Sequence, residues 1–206
     1  MNDSASAMEV EVRGPLSEEE TPKLLERLGR EGQYEGLRDR FFINFTDDRM
    51  RARGLDLRVR MTNGRTEIVA KSGKWLGEIR TETILDLGEG QFQTAVALFA
   101  ALGITQGVAC RRLIHQYRID DISLSVIEVP GHSWFYEAEE TCSAKEQARC
   151  RSRILERLDS LGLRSFSEEG FVAYVAELDV KANERFDSRE QRLESLELYP
   201  MGDSSR

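Results

Sequence analysis

The chain has 206 residues, enough for one domain with a sizeable core. It carries 29 Lys and Arg against 37 Asp and Glu, a formal net charge of −8, which argues against a general nucleic-acid or membrane-surface binder with its basic footprint. A small anionic ligand is still compatible, because a local cluster can oppose the overall sign. The longest apolar run, Ala95 to Ala101, is too short to span a bilayer, and no basic-then-apolar signal segment opens the chain. Cys110, Cys142 and Cys150 are odd in number and lack metal-type spacing, so they read as reduced thiols of a cytoplasmic protein. With His115 and His132 the only histidines, a His-rich zinc site or a Ser-His-Asp triad has little to work with.

Residues 1–7 are small and polar and are expected to form a loose tail. The stretch Glu9-Val10-Glu11-Val12-Arg13 follows, with a strand expected from Val10 to Val12. Successive side chains of a strand point to opposite faces, so Glu9, Glu11 and Arg13 share one face and the valines the other. Ser17 is placed to cap a helix running to about Leu28, with Gly29 at its end. Phe41 to Thr46 reads as a short aromatic strand. Leu55–Met61 and Thr66–Lys71 flank Asn63-Gly64, a strong hairpin signal. In the first of these strands Arg58 and Arg60 share a face. Glu78 to Leu87 is the next strand, and Gln91 to Leu102 a helix that stops at Gly103. Val108–Ile119 and Ile122–Val129 form a second hairpin around Asp120-Asp121. In the strand Trp134 to Glu140, Glu137 and Glu139 share a face. Ser143 to Leu161 is an amphipathic helix with Ile154, Leu155, Leu158 and Leu161 on its apolar side. A further helix is expected from Ser167 to about Lys181, and the segment 186–206 is a charged tail with some helical character.

About eight strands with helices between them predict an α+β fold built on a closed antiparallel eight-stranded β-barrel. Charged faces turned inward would make the barrel a polar tunnel. The amphipathic helices would then cover its apolar outer belt. Acids and bases gathered on such faces point to a polyanion site that also holds metal.

These residues resemble the CYTH family, the triphosphate tunnel metalloenzymes, named from class IV adenylate cyclases and thiamine triphosphatases. Its N-terminal Glu-x-Glu-x-Lys strand is matched by Glu9 to Arg13, and its Leu-Arg-x-Arg strand by Leu57-Arg58-Val59-Arg60. Lys71 ends the next strand, Arg80-Thr81-Glu82 matches Arg-x-Glu, and Arg111-Arg112 matches a later basic pair. Gly131 through Phe135, then Glu137 and Glu139, match the last motif. The tunnel domain would span 8–185. Arg13 stands where the family mostly has Lys; it keeps the charge and can grip phosphate with two bonds, but it cannot trade a proton. Many members carry Asp near Ile127, where Glu128 is the neighbouring acid. The strand Phe41 to Asn44 lacks the family's Tyr and Asp, so no proton-transfer role is carried over to it.

The resemblance implies carboxylates for Mg²⁺ or Mn²⁺, drawn from Glu9, Glu11, Glu82, Glu128, Glu137 and Glu139. It implies phosphate binding by Arg13, Arg58, Arg60, Lys71, Arg80 and Arg111 or Arg112, with Arg112 favoured because alternation turns only one of the pair inward. Glu9, Glu11, Arg13 and Lys71 would be catalytic. Glu67 reads as an exposed charge beside a hairpin, His115 as an ordinary surface or core histidine, and Trp75 and Trp134 as packing residues. The expected function is hydrolysis of a small anionic triphosphate, inorganic triphosphate first and thiamine triphosphate second, by a monomer or homodimer without nucleic acid or membrane. Conversion of ATP to cyclic AMP on the same scaffold, or a non-catalytic polyphosphate- or nucleotide-binding module, is the alternative.

Overall fold

A computed structural model of the protein describes residues 8–200. The strands are β1 (Met8–Leu16), β2 (Gln33–Asn44), β3 (Leu55–Thr62), β4 (Arg65–Gly73), β5 (Ile79–Glu89), β6 (Gln106–Ile119), β7 (Ile122–Val129), β8 (Ser133–Cys142) and β9 (Glu184–Asp187). The helices are α1 (Thr21–Glu31), α2 (Asp48–Ala52), α3 (Phe92–Ala101), α4 (Gln147–Ser160) and α5 (Glu168–Lys181). Eight strands pair in the order β2-β3-β4-β5-β1-β8-β7-β6, and β2 pairs back onto β6, so the antiparallel sheet closes as expected. Closure leaves no free edge along most of the ring. β9 takes the stretch of β6 that β7 does not reach, pairing Gln106 with Asp187 and Ala109 with Glu184.

The alternation reads inside-out relative to an ordinary barrel. Val10 and Val12 point outward into an apolar layer with Leu24 and Leu28 of α1 and Ile154 and Leu158 of α4. On the opposite side, Phe41, Ile43 and Phe45 meet Phe92, Val96 and Phe99 of α3. Their partners on the same strands face the tunnel. The hairpin between β3 and β4 turns through Asn63 and Gly64, with φ of 48° and 87°, the two left-handed positions a primed turn needs.

α5 departs from the expectation that the helices cover the outer belt. Its Tyr174 and Leu178 pack with Ile114, Ile127 and Phe135, which occupy tunnel-facing positions at one end of the barrel. The helix therefore lies across the tunnel end.

Other differences have local causes. β2 begins at Gln33, eight residues before its aromatic part, because neither face of Gln33 to Arg40 carries an apolar stripe to reveal it. α1 starts at Thr21 and runs through Gly29, while Ser17 instead organises the preceding turn by accepting the Glu20 N–H at 3.2 Å. Among the described residues of the C-terminal segment, 186–200, there is no helix beyond a single 3₁₀ turn at Leu193–Ser195, and Phe186, Leu193 and Leu196 are buried against the α3 layer; 201–206 lie outside the described residues. The expected N-terminal tail, 1–7, lies outside the described residues. Among the described residues no helix is long and apolar enough to cross a membrane.

Gly14 of β1 sits where the chain after α4 crosses the barrel: Phe166 N–H donates to the Arg13 carbonyl at 2.8 Å. A Cβ on Gly14 would lie 2.0 Å from the Arg164 carbonyl oxygen and 2.5 Å from the Tyr136 ring. Gly14→Ala is expected to lower the unfolding free energy by about 1–3 kcal/mol or more in urea titration, the usual cost of overpacking. An unchanged midpoint would mean that the crossing segment is not seated there.

Candidate active site in the tunnel

The β1–β8 pairing sets Glu11 opposite Glu139 and Arg13 opposite Glu137. Both strands turn these side chains into the tunnel, as their alternation predicts. Arg13 is buried; it donates to Glu137 at 3.3 Å and forms a short ion pair with Glu11. Its guanidinium also lies 4.7 Å from the centre of the Phe171 ring on α5. Lys71 Nζ of β4 reaches Glu9 at 3.2 Å and Glu82 of β5 at 3.6 Å.

A continuous chain of charges crosses the floor of the tunnel. Arg80 Nη2 donates to Glu11 at 3.1 Å, and its Nη1 donates to Asp56 at 3.3 Å. Asp56 in turn takes a two-pronged bond from Arg58, at 2.8 and 2.5 Å. Arg60 donates to Glu67 at 2.8 Å and lies 3.6 Å from Glu82. Arg58 and Arg112 stand 5.1 and 6.0 Å from the ring centre of Phe42. Arg112 donates to Asn183, just past α5, at 3.1 Å.

Glu9, Glu11, Arg13, Arg58, Arg60, Lys71, Arg80, Glu82, Arg112, Glu137 and Glu139 thus lie on tunnel-facing positions. Two candidates do not. Glu128 pairs with Leu113 and Trp134 on the outward face of β7, because the inward position is held by Ile127. Arg111 also faces outward, where Asp39 binds it at 3.1 and 2.7 Å. Arg80 is inward, with one terminal nitrogen on Glu11 and the other on Asp56. Glu67 is not a free surface charge; it lies inside, bound to Arg60.

Inward residues that escaped the sequence reading include Arg40, Asn44 and Asp56. Asp56 stands two residues before Arg58, so the same alternation could have found it. Arg40 lies in the part of β2 that shows no pattern. Trp75 lines the cavity mouth and stacks with Arg51 at 5.0 Å, whereas Trp134 packs outside against His115.

Burial raises carboxyl values and nearby cations lower them. For Glu11 burial is outweighed by Arg13, Lys71 and Arg80, which hold it well below the usual range. Asp56 is likewise depressed against burial by Arg58 and Arg80. Glu139 goes the other way: burial, its hydrogen bond with Glu9, and the charges of Glu9, Glu11 and Glu137 push it up to about 9. Glu137 is also raised, by burial first and then Glu11.

Four carboxylates therefore crowd neighbouring positions of β1 and β8, at a cost in charge repulsion. Their oxygen chemistry fits a hard divalent cation, which would relieve that repulsion. As they stand they bind one another and the cations beside them; among the described residues no three acidic, His or Cys side chains converge around one point. The cavity is lined by Glu11, Arg40, Arg58, Arg60, Phe42 and Tyr174 among others and encloses about 150 Å³.

No protein-family model matches the chain, and no curated protein matches it. Solved structures do. PH1012 from Pyrococcus horikoshii OT3 is 23% identical, with 79% of this chain and 93% of that chain covered and a TM-score of 0.60. A candidate adenylate cyclase from Vibrio parahaemolyticus is 13% identical, with 81% and 98% covered and a TM-score of 0.62. HpAC1 from Hippeastrum, a candidate adenylyl cyclase described as having a dominant triphosphatase activity, is 14% identical, with 83% and 96% covered and a TM-score of 0.53. The chain shares the closed antiparallel barrel fold of these structures.

The raised Glu139 has a consequence for stability. Between its ordinary value and about 9 the folded protein keeps a proton there that the unfolded chain has lost. Stability from this group therefore falls as pH rises through that window. Glu11 and Asp56 act oppositely, adding stability above the unfolded carboxylate range that is lost as pH falls through their depressed values. In EDTA, Glu139→Gln is expected to melt higher than the unaltered protein at pH 8, by about 2–4 °C per kcal/mol gained. The advantage should shrink toward pH 5. A variant that melts lower at pH 8 would show that Glu139 is ionised and paired in the fold.

Proposed function

We propose that the protein is a metal-dependent hydrolase that cleaves the terminal phosphoanhydride of a triphosphate compound inside the tunnel. The observation that supports this most strongly is the facing of two walls. Carboxylates of β1 and β8 stand across the closed barrel from the guanidinium groups of β2, β3 and β6. A barrel lined for stability alone is a poor explanation, because buried ion pairs recover little beyond their desolvation cost. Bare carboxylates would repel a triphosphate in a low-dielectric tunnel, and bare arginines would repel each other. Bound cation and bound polyanion remove both conflicts together.

Glu9, Glu11, Glu137 and Glu139 would hold the cation, Mg²⁺ or Mn²⁺, which when bound supplies polarisation of the phosphoryl group and of an attacking water. Arg58, Arg60, Lys71 and Arg112 grip phosphate oxygens through charge-assisted bonds. Arg13, ion-paired with both, orients Glu11 and Glu137. Phosphoryl transfer asks mainly for positioning and charge stabilisation, which this lining supplies. The cavity is smaller than the roughly 300–1,000 Å³ of ordinary small-molecule sites, which suits a compact polyanion. Inorganic triphosphate asks for nothing beyond that grip, and thiamine triphosphate follows it. A second reading is conversion of ATP to cyclic AMP and pyrophosphate. The aromatic wall of Phe42, Phe171 and Tyr174 beside the arginines is what favours it, since a base could pack there.

The test is phosphate release from inorganic triphosphate, thiamine triphosphate and ATP with Mg²⁺, Mn²⁺ or EDTA, with cyclic AMP followed in the ATP samples. EDTA-sensitive phosphate release is expected, and cyclic AMP would decide for the cyclase. Tight triphosphate binding without any turnover would make the protein a binding module. Glu9→Gln combined with Glu11→Gln should abolish metal-dependent turnover with the circular dichroism spectrum retained; full activity in that variant would sink the carboxylate assignment. Arg58→Ala should raise KM for triphosphate about tenfold or more, the worth of a lost bond to a charged group. An unchanged KM would place Arg58 outside the binding wall.

A further inference from the structure

Arg40 is unlike the other arginines of the tunnel. Arg13, Arg58, Arg60 and Arg80 each have a carboxylate within ion-pair distance. Among the described residues Arg40 has none. Its one hydrogen bond is from Nε to the Thr62 hydroxyl at 3.2 Å, which leaves both terminal nitrogens without a protein partner. The register places it directly opposite Arg112 across the β2–β6 pair, and among the described residues Arg112 is served only by Asn183 and the Arg111 carbonyl. Like charges directly opposed across strands destabilise a sheet. Arg60, opposite Phe42 on β3, brings a third guanidinium to the same patch. The conflict is felt at Arg40: burial first, and then Arg60, lower its value to about 10.

We propose that Arg40 is an anion-binding residue, and that Arg40, Arg112 and Arg60 together form a seat for one phosphoryl group of the bound polyanion. The inference rests on the polyanion reading of the tunnel and assigns a residue that reading did not include. A tetrahedral oxyanion supplies several acceptors at once, so one group can serve guanidinium donors from three strands. The seat lies on the β2–β6 wall, across the ring from the acids of β1. It therefore sets the far end of the polyanion while the carboxylates mark the near end. The repulsion that Arg60 and the other nearby arginines exert on Arg40 is relieved on binding. Arg40 thus trades stability for affinity.

That trade separates a binding role from a structural one. Binding of inorganic triphosphate is measured by calorimetry in EDTA and again with Ca²⁺ present, beside thermal melting with and without the anion in each condition. Arg40→Met keeps the stem and removes the charge. It is expected to melt at or above the unaltered protein without anion, to bind triphosphate about 10–100-fold more weakly, and to lose most of the anion-induced rise in melting temperature. Arg40→Lys keeps charge without the fork and should bind between the two. An Arg40→Met variant that melts lower or fails to fold without anion would make Arg40 structural and overturn the proposal. Binding within threefold of the unaltered protein would overturn it too. An unaltered protein that shows no triphosphate binding in either condition would instead remove the polyanion reading beneath it.

Discussion

The register between β1 and β8 is the constraint on which the interior depends. It sets Arg13 against Glu137 and Glu11 against Glu139, with Val12 and Ala138 paired on the outward face. A slip of one residue would send every one of these charges into the apolar layer under α1 and α4, and the valines into the tunnel. The large apolar cost of that slip protects the site. The same burial of Val10, Val12, Tyr136 and Ala138 that stabilises the fold holds the carboxylates in place. Packing outside and chemistry inside are two faces of one strand pair.

Within that frame the charges are arranged so that few are left alone. Glu11, Arg80, Asp56 and Arg58 form a linked series from the acid wall to the basic wall. Linking them means that moving one group disturbs the next, so a polyanion bound to Arg58 would be felt at Glu11 through two intervening side chains. The groups left without an opposite charge are then informative. Glu139 answers by keeping its proton, and Arg40, opposite Arg112 in the register, has no carboxylate within ion-pair distance among the described residues. Each marks a place where an ion of the missing sign would be welcome.

α5 gives the tunnel its asymmetry. Phe171, Tyr174 and Leu178 close one end with apolar side chains, and Asn183 beyond the helix reaches Arg112. The ligand space therefore joins a charged wall to an aromatic one. A purely inorganic polyanion uses only the first, whereas an organic triphosphate would use both.

Much of this was legible in the chain. Strict alternation of Glu and Val before Arg13, of Arg with apolar residues at 57–61, and of acids at 137–139 reveals which side chains share a face, because the period of two is a local property of extended backbone. Asn63-Gly64 determined a turn for the same reason: its left-handed geometry is set within two residues. Other features were decided by tertiary structure alone. Gln33 to Arg40 became strand because β6, joined by β3 only at Arg40, supplies its partners, not because its own pattern demands it. Arg111 and Glu128 were turned outward by which neighbour won the inward position, a choice made by closure of the ring. Arg40 met Arg112 only when β2 closed onto β6, 72 residues apart in the chain. Local alternation assigns a side chain to a face; only the closed barrel decides what stands across from it.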